Sequence, residues 1–550
     1  MQTNRLPLNH CSTGLFAIVA VLWLLAISMT GRIGAAPATT MTEHRRRALD
    51  KVSDAPAYLP ANTTIGGPAA ATCSGSLLYV EQANVLASNS APNDFFGDSI
   101  AISGNTAVVG SAAGAAYVLI RNGTVWSEQQ KLTTNAVAFG FGASVAIDGD
   151  TLVVGAISDT VGSNIGQGSA YVFVRSGAVW TQQQKLVASD GESFDGFGNS
   201  VGISGDTVVV GSVFDNVGNN DAQGSAYVFK RSGALWNQQQ QLVASDGAPV
   251  DEFGWSVAID GETIVVGAFV DSDAFQEQGS AYVFVRSGVS WSQQQKLLAS
   301  DASNFDFFGQ SVAISGDHIV VGANSAGAPS SGEAYVFVRS GTVWSQAQIL
   351  KGNDSAFGDD FGRSVAIDAD AIAVGASGAD VGANQNQGAV YVFLQSGASW
   401  VQLQKLTASA EAAGQFFGQP VAISGDVLLS GFFNEVVPMP VRGSVRIFGR
   451  GCLDACMQDD SNSGTKLLFD STTGSYAFFC NGLVLTGQAI VTRRGSTVTL
   501  TDNSPDRRLT ATFTGGGINK GTATLQSPPG RTLCTLRDSN TSNNNCSSSG

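Results

Sequence analysis

The feature that most constrains this chain is a unit of about 55 residues that recurs seven times, each copy marked by a Phe-Gly pair at a fixed position. The pairs begin at Phe96, Phe141, Phe197, Phe253, Phe308, Phe361 and Phe417. The glycine of each pair lies 13 residues before a second glycine that ends an apolar run. Such fixed spacing predicts one supersecondary unit stacked on copies of itself, because each strand must meet its counterpart in register.

Each unit reads as four short β-strands. In the unit that begins at Phe141 the strands are SVAI, the run ending in LVVG, SAYVFV and the polar WTQQQKL. A turn such as Asp148-Gly149-Asp150 joins the first two strands as a hairpin. The polarity of the fourth strand is typical of an outermost edge. We therefore predict an all-β chain whose residues 73–450 form a seven-bladed β-propeller.

The two ends of the repeat array predict how the ring closes. The unit at Phe417 has no Trp-Gln-Gln strand, whereas a similar segment precedes the first unit. Tyr79 lies 17 residues before Phe96, the spacing that also separates Trp180 from Phe197. Residues 77–87 are therefore predicted to complete the last blade and to remove its open edge.

The N-terminal segment has the order of a secretory signal. Arg5 precedes an apolar run from Leu15 to Met29, and small residues follow up to Ala36. Residues 1–36 are predicted to be a signal peptide and the protein to be secreted. The run is shorter than the roughly 20 residues of a membrane span. The alternative is an uncleaved anchor, the one case in which we expect membrane contact.

Residues 37–72 are rich in Ala, Pro and Thr and are predicted to be a linker. Within it, the run Arg45-Arg46-Arg47 is either a processing site or a solvated basic patch. Residues 451–550 alternate short apolar segments with turn residues, which predicts a small cysteine-containing β-domain. A tail rich in Ser and Asn follows from Asn540.

Six cysteines remain outside the signal, an even number that favours disulfides in an exported chain. Only His44 and His318 lie outside the signal, so a Cys/His zinc site lacks ligands. The disulfide candidates are Cys73, Cys452, Cys456, Cys480, Cys534 and Cys546. Their pairing is open.

Strand alternation assigns the connections to two faces. Connections after the second and fourth strands lie on one side, the loop face, and the tight turns lie on the other, the turn face. The loop-face connections vary in length and are rich in Asp, Asn, Gly and Gln. Variable loops on a rigid scaffold are the usual place for binding.

Aspartates recur on the loop face. The calcium candidates in the longer loops are Asp159, Asp215, Asp271 and Asp380. A second set precedes Phe-Gly by two residues and comprises Asp94, Asp195, Asp251, Asp306 and Asp359. The alternative for every one of them is that the side chain shapes a turn through hydrogen bonds to the backbone.

The turn face looks structural. Asp148, Asp260 and Asp368 alternate there with Ser103, Ser204, Ser315 and Ser424. Arginines occupy the other turns of this face, at Arg121, Arg175, Arg231, Arg286 and Arg339. We expect ion pairs between these groups, each worth about 0–1 kcal/mol.

No catalytic or cofactor-binding residue is predicted. The sequence lacks H-E-x-x-H and phosphate-binding loops. His318 replaces a threonine of the other units and is interpreted as an exposed turn residue. Carboxylate pairs for glycoside hydrolysis would recur in every unit, so none is singled out. The net charge of −15 argues against nucleic acid as a partner.

Candidate sequons for N-glycosylation occur at Asn62, Asn122, Asn353 and Asn540, and a less favoured one at Asn545, which Cys follows.

The motif Phe-Gly-x-Ser-Val-Ala-Ile, with Val-Val-Gly-Ala following, resembles FG-GAP repeat proteins, which include the propeller of integrin α subunits. The resemblance covers residues 76–450 and implies an extracellular seven-bladed propeller used in adhesion or ligand binding. Many such repeats carry a calcium loop between the first two strands. Here that place holds only turns such as Ser204–Asp206, too short for the roughly six to eight oxygens that calcium takes.

Three hypotheses about function follow. The first is a secreted or cell-surface protein that binds an extracellular protein or glycan through the loop face. The second is a secreted enzyme that acts on polysaccharide, with the propeller as scaffold. The third is a structural component of an extracellular matrix or wall.

Overall fold

A computed structural model describes residues 77–452 apart from short gaps at 90–93, 112–113, 135–137, 328–329, 409–412 and 436–441. Beyond residue 452 it describes the backbone of nine strands. The predicted signal peptide, the linker, Asn62, Cys73, Asn540 and Cys546 lie outside these residues. Within them every regular element is a strand, and no helix is long and apolar enough to cross a membrane.

Blades 1 to 6 are four-stranded antiparallel sheets whose strands follow chain order. Their strands are β2 (Phe96–Ser103), β3 (Thr106–Ser111), β4 (Ala115–Asn122), β5 (Val125–Leu132), β6 (Phe141–Asp148), β7 (Thr151–Ala156), β8 (Ser169–Ser176), β9 (Val179–Leu186), β10 (Phe197–Ser204), β11 (Thr207–Ser212), β12 (Ser225–Ser232), β13 (Leu235–Leu242), β14 (Ser256–Asp260), β15 (Thr263–Ala268), β16 (Ser280–Ser287), β17 (Ser290–Leu297), β18 (Ser311–Ser315), β19 (His318–Ala323), β20 (Glu333–Ser340), β21 (Val343–Leu350), β22 (Phe361–Asp368), β23 (Ala371–Ala376), β24 (Ala389–Ser396) and β25 (Ser399–Leu406). The first strands of neighbouring blades contact one another, which places them innermost.

Blade 7 combines segments from both ends of the repeat array. Its strands are β26 (Val421–Ser424), β27 (Val427–Glu435), β28 (Arg442–Cys452) and β1 (Leu77–Val85). The sheet order is β1-β28-β27-β26, and β1 runs antiparallel to β28 with Tyr79 opposite Arg450.

The described strands after residue 452 form two further antiparallel sheets. Their strands are β29 (Ala455–Gln458), β30 (Lys466–Phe469), β31 (Ser475–Cys480), β32 (Leu483–Gln488), β33 (Ile490–Arg494), β34 (Thr497–Asp502), β35 (Arg508–Phe513), β36 (Gly521–Ser527) and β37 (Arg531–Arg537). The side chains of Cys452, Cys456, Cys480 and Cys534 lie outside the description, so disulfide formation stays a prediction.

The apolar core lies between neighbouring blades. Each strand of a blade presents alternate residues to the two adjacent blades, so Val209 and Val228 of blade 3 pack in one cluster with Phe253 of blade 4. Phe253 is fully buried and meets Tyr282 edge-on, with ring centroids 5.4 Å apart. Burying one such phenylalanine contributes about 1.5–3 kcal/mol.

The two glycines of the repeat are required at one contact between blades. Gly198 has φ of +90°, and its carbonyl oxygen lies where a Cβ on Gly155 would be, only 2.1 Å away. The Ser144 hydroxyl donates to the same oxygen at 2.9 Å. The glycine pair recurs at every junction, including that from Gly431 to Gly97. The spacing of 13 residues therefore places one glycine against the preceding blade and the other against the following blade.

A ring of hydrogen bonds joins the tight turns of the turn face. In each turn a serine or aspartate accepts the turn N–H of the next blade, as Asp148 does from Gly205 at 2.7 Å. The acceptor and donor pairs are Ser103–Gly149, Asp148–Gly205, Ser204–Gly261, Asp260–Gly316, Ser315–Ala369, Asp368–Gly425 and Ser424–Gly104. These side chains therefore join blades, and the predicted alternation of Asp and Ser has a structural role.

The predicted ion pairs of the turn face form with different partners. Arg175 pairs with Asp150, the third residue of its own blade's turn, and not with Asp148. The equivalent pairs are Arg231–Asp206, Arg286–Glu262 and Arg339–Asp317, while Arg121 reaches Asp426 of blade 7. Our prediction was wrong about the acid because the first turn residue already accepts a backbone N–H from the neighbouring blade.

Glutamines link the outermost strands around the rim. The Gln184 side chain donates to the carbonyl of Trp236 at 2.7 Å and accepts that residue's N–H at 2.8 Å. The same two bonds join Gln130–Trp180, Gln240–Trp291, Gln295–Trp344, Gln348–Trp400 and Gln404–Tyr79. At the junction from β1 to Trp126 the matching residue is Ala83, so this link is missing there.

Candidate functional site on the loop face

The two kinds of loop on this face are held together by backbone hydrogen bonds. The connections into blades 3 to 7 donate to the long loop of the preceding blade, as Phe194 N–H does to the Ile165 carbonyl at 2.9 Å. Val250 donates to Asp221 at 2.9 Å in the same way. Loops from successive blades therefore form one continuous surface.

Three of the four calcium candidates occupy equivalent buried positions. The Asp159 carboxylate accepts hydrogen bonds from Ser169 and from Tyr171, the latter at 2.8 Å, and pairs with Lys185 at 2.8 Å. Burial alone would raise the pKa of Asp159, but the bonds from Lys185, Ser169 and Tyr171 outweigh burial and lower it. The carboxylate thereby anchors its loop to the third and fourth strands.

Asp215 and Asp271 repeat this arrangement, but Asp271 pairs with a lysine and Asp215 bonds to a glutamine in its place. Asp271 accepts from Tyr282 at 3.1 Å and pairs with Lys296 at 2.7 Å. Asp215 instead accepts from Gln241 at 2.9 Å, and burial raises its pKa. All three carboxylates therefore accept hydrogen bonds from side chains of their own blade.

The fourth candidate, Asp380, does not belong with the other three. Its place is one residue later in the loop, it is exposed, and it accepts the Asn386 N–H at 2.8 Å. In blade 6 the tyrosine hydroxyl of Tyr391 donates to Asp354 at 2.7 Å. In blade 5 the corresponding acceptor is Glu333. Sequence reasoning missed Asp354 and Glu333 because they come from other positions of the repeat.

The aspartates two residues before Phe-Gly shape turns, as the alternative interpretation holds. Asp251 accepts the Ala248 N–H at 2.6 Å, and Asp359 accepts the Ala356 N–H at 2.8 Å. Asp195 and Asp306 make the equivalent bond in their own blades, and Asp94 is half-buried. Burial raises the pKa of Asp251 to about 7 and that of Asp195 to about 6.

The structure also describes the surroundings of His318 and of two glycosylation sequons. His318 is the first residue of β19 and is half-buried rather than exposed, with its ring edge against Trp400 at 5.7 Å. Burial lowers its pKa. Asn122 and Asn353 are both exposed.

The described residues contain no group of three or more His, Cys, Asp and Glu side chains that could hold a metal ion. The four calcium candidates lie in four different blades. Calcium binding by these residues stays a prediction, without a shared cluster to support it.

One position departs from the repeat symmetry. The residue directly after Phe-Gly is Asp98, Ala143, Asn199, Trp255, Gln310, Arg363 or Gln419 in the successive units. Asn199 and Trp255 are buried, and Asn199 donates to the Trp255 carbonyl at 2.8 Å. Trp255 packs on Phe269 with ring centroids 4.4 Å apart. Comparing the units column by column would have found this variation in the sequence.

Large apolar side chains are exposed around the loop face. They lie in the connections that lead into the blades and comprise Phe95, Phe139, Phe194, Val250, Phe305 and Phe357. Exposed acids lie on the same face, Asp190 in one of these connections and Asp221 in the long loop of blade 3. The face therefore combines apolar and negatively charged groups.

Comparison with known families identifies the repeat. A family model described as FG-GAP repeat matches residues 79–120, 126–173, 180–229, 236–284, 291–337, 344–393 and 400–435, which is more than half of the chain. Comparison with curated proteins gives no match.

Proposed function

Because the chain belongs to the FG-GAP repeat family, we propose that it is a secreted or cell-surface binding protein. It recognises an extracellular protein or glycan through the loop face of its propeller. Propellers of this family serve as ligand-binding or adhesion scaffolds, and the proposal extends that role to this chain.

The observation that carries the proposal is that the loop-face connections vary in length and composition from blade to blade, whereas the tight turns of the other face repeat; exposed apolar residues occur on both faces, as at Val289 on the turn face. On the turn face, the serines and aspartates of the tight turns accept hydrogen bonds from the neighbouring blade, and the arginines pair with acids. On the loop face, phenylalanines such as Phe357 and acids such as Asp221 are exposed. Exposed apolar groups on variable loops mark interaction sites in soluble proteins.

Export from the cell is part of the proposal. The signal-like segment 1–36 and the even number of cysteines outside it support export. Asn122 and Asn353 are exposed, as glycan acceptors must be. Intact-mass analysis of the protein from culture medium tests this part: a start near residue 37 and added hexose mass are expected, and retention in the cell contradicts it.

The binding role is tested with an array of glycans and extracellular proteins. The variant replaces residues 213–224 of blade 3 with the three-residue connection 112–114 of blade 1, a loop that the same fold already accommodates. We expect the full chain to bind a ligand and the variant to lose it while its melting curve stays cooperative. Val289→Ser, on the turn face, is the control and should bind normally.

An EDTA arm tests calcium dependence of the same binding. If neither condition yields a ligand, the proposed function is wrong. If the loop-shortened variant binds as the parent does, the ligand site is not on this part of the loop face. A purely structural component of a matrix or wall would tolerate the loop change without loss of its role.

The second candidate is an enzyme that acts on polysaccharide. What supports it is the irregular, buried position after Phe-Gly, because catalysis needs a group that the other blades do not repeat. Arg363 and Gln310 are buried there. Hydrolysis of a polysaccharide panel, abolished by Arg363→Met in a folded protein, would favour the enzyme over the binding protein.

A further inference from the structure

We propose that the loop face of blades 2 to 5 is a docking surface for a cationic protein segment that carries apolar side chains. This inference rests on the proposed function and names the kind of ligand. The residues that carry it are Phe194, Val250 and Phe305, each three positions before a Phe-Gly pair. They lie at three successive blade junctions.

The backbone at these three residues is left-handed. Phe194, Val250 and Phe305 have φ of 72°, 69° and 65°. Such a conformation is costly for bulky or β-branched residues and is free of strain for glycine. At the next two junctions the same position holds Gly358 and Gly414, with φ of 81° and 79°. The fold itself therefore accepts glycine at this place.

The three side chains stay partly in water despite that strain. Phe194 is 37% exposed, Val250 51% and Phe305 38%. Apolar surface left in water contributes nothing to stability until something covers it. Strained residues of this kind gather at ligand-binding positions in proteins, and here a bound partner would supply the missing burial.

Neighbouring apolar residues extend the patch. Ile165 is exposed, and its carbonyl accepts the Phe194 N–H. Phe275 is exposed beside Gln276, whose carbonyl accepts the Phe305 N–H. The long loop of one blade and the connection of the next therefore contribute apolar side chains to the same junction.

The charge around the patch selects a cationic partner. No Lys or Arg occurs in residues 187–222, 243–278 or 298–332, which include these loops. Exposed acids occupy them, at Asp190, Asp221 and Asp301. The nearest lysines, Lys185 and Lys296, are already paired with acids. Complementary positive charge on a ligand would speed its association and favour it over other ligands.

A protein segment fits this surface better than a glycan. Beside its phenylalanines the patch contains Val250 and Ile165, which have no aromatic face on which a sugar ring can stack. Their apolar surface is complementary to leucine, phenylalanine or similar side chains of a peptide. Phenylalanine adds contact area at low entropic cost, since it has only two side-chain torsions.

The test measures binding of fluorescent peptides to the full chain by anisotropy. The probe peptide alternates Lys and Phe with Ser spacers, and two matched peptides replace every Lys with Glu or every Phe with Ser. We expect the Lys-Phe peptide to bind at least about tenfold more tightly than either matched peptide, with affinity falling as salt rises.

The protein variant Phe194→Gly/Val250→Gly/Phe305→Gly should bind the Lys-Phe peptide roughly tenfold or more weakly. Its melting temperature should not fall by more than a few degrees, since glycine removes the left-handed strain. Val179→Ser/Leu235→Ser/Val289→Ser removes three exposed apolar residues from the turn face and should bind as the parent does.

Equal binding by the triple glycine variant, or equal binding of the Glu-Phe peptide, overturns this inference. The proposed function fails separately, in the array of glycans and extracellular proteins. Suppose the array yields a ligand whose binding is lost on loop shortening but is unchanged in the triple glycine variant. The proposed function would then stand, and only the docking surface inferred here would be wrong.

Discussion

Asp251 shows how one residue of the loop face couples stability to pH. Its carboxylate is buried, and burial together with the nearby Asp271 and Asp246 raises its pKa to about 7, although the Ala248 N–H and Lys296 act to lower it. The folded protein therefore holds a proton on Asp251 that the unfolded chain releases at a lower pH. The contribution of Asp251 to stability should be fully present below about pH 4 and should be lost as pH rises to about 7.

Asp251→Asn keeps the acceptor for Ala248 N–H and abolishes the titration. We expect its loss of unfolding free energy between about pH 5 and pH 7.5 to be smaller than the parent's by roughly 1–3 kcal/mol. Urea denaturation at the two pH values measures it. Asp221→Asn removes one exposed negative charge and is the control. An unchanged slope in Asp251→Asn would contradict the assignment.

The residue scale is also where sequence reasoning reached its limit. The recurrence of aspartates could be read, but their partners could not. Asp380 looks like Asp159 in the sequence, yet it lies one position later and is exposed. Insertions shift the acid along each loop, and only the folded backbone shows which carboxylate reaches the tyrosine of its blade.

At the scale of elements, the rim strands do more than close an edge. Each glutamine of the Gln–Trp links replaces the backbone pairing that the outermost strands of different blades cannot make. The sequence predicted these strands and their exposure, but a polar strand of glutamines gave no sign that the side chains join blades. The missing information was the distance between strands about 50 residues apart in sequence.

A substitution at the rim junction between β1 and blade 1 should stabilise the protein. Gln82 Oε1 and Trp126 Nε1 are buried there, and neither has a hydrogen-bond partner in the described structure. Ala83→Gln restores the missing link and is expected to raise the unfolding free energy by about 0.5–1.5 kcal/mol.

Gln240→Ala makes the opposite change at an intact junction and should lower the unfolding free energy by about 1–2 kcal/mol. Chemical denaturation of both variants compares them. A loss of stability in Ala83→Gln would show that this junction cannot adopt the geometry of the others.

At the scale of the whole molecule, both the family and the seven blades could be predicted from sequence. The family match confirms the resemblance read from the Phe-Gly units. The spacing succeeded because both glycines are required by a backbone contact, which tolerates no other residue and no change of register. The loops carry no such constraint, so the sequence predicted their location and not their surface.

We propose that β1 closes the ring, and one buried ion pair tests this. Arg446 of β28 lies 2.8 Å from Glu81 of β1, and both side chains are largely buried. Arg446→Met leaves Glu81 buried without this cation and should cost about 3–5 kcal/mol of unfolding free energy.

Arg175→Met breaks the exposed pair with Asp150 and should cost about 0–1 kcal/mol. Thermal or urea unfolding of the full chain measures both variants. Equal and small effects would show that β1 does not hold the ring closed.

The measurement that tests the binding role most directly is hydroxyl-radical footprinting of the full chain with and without a ligand found on the array. We expect protection at loop-face residues, Phe194, Phe305 and Phe357, while the turn-face residues Leu235 and Val289 react equally in both states. Protection of the turn face, with the loop-face phenylalanines unchanged, would contradict the account.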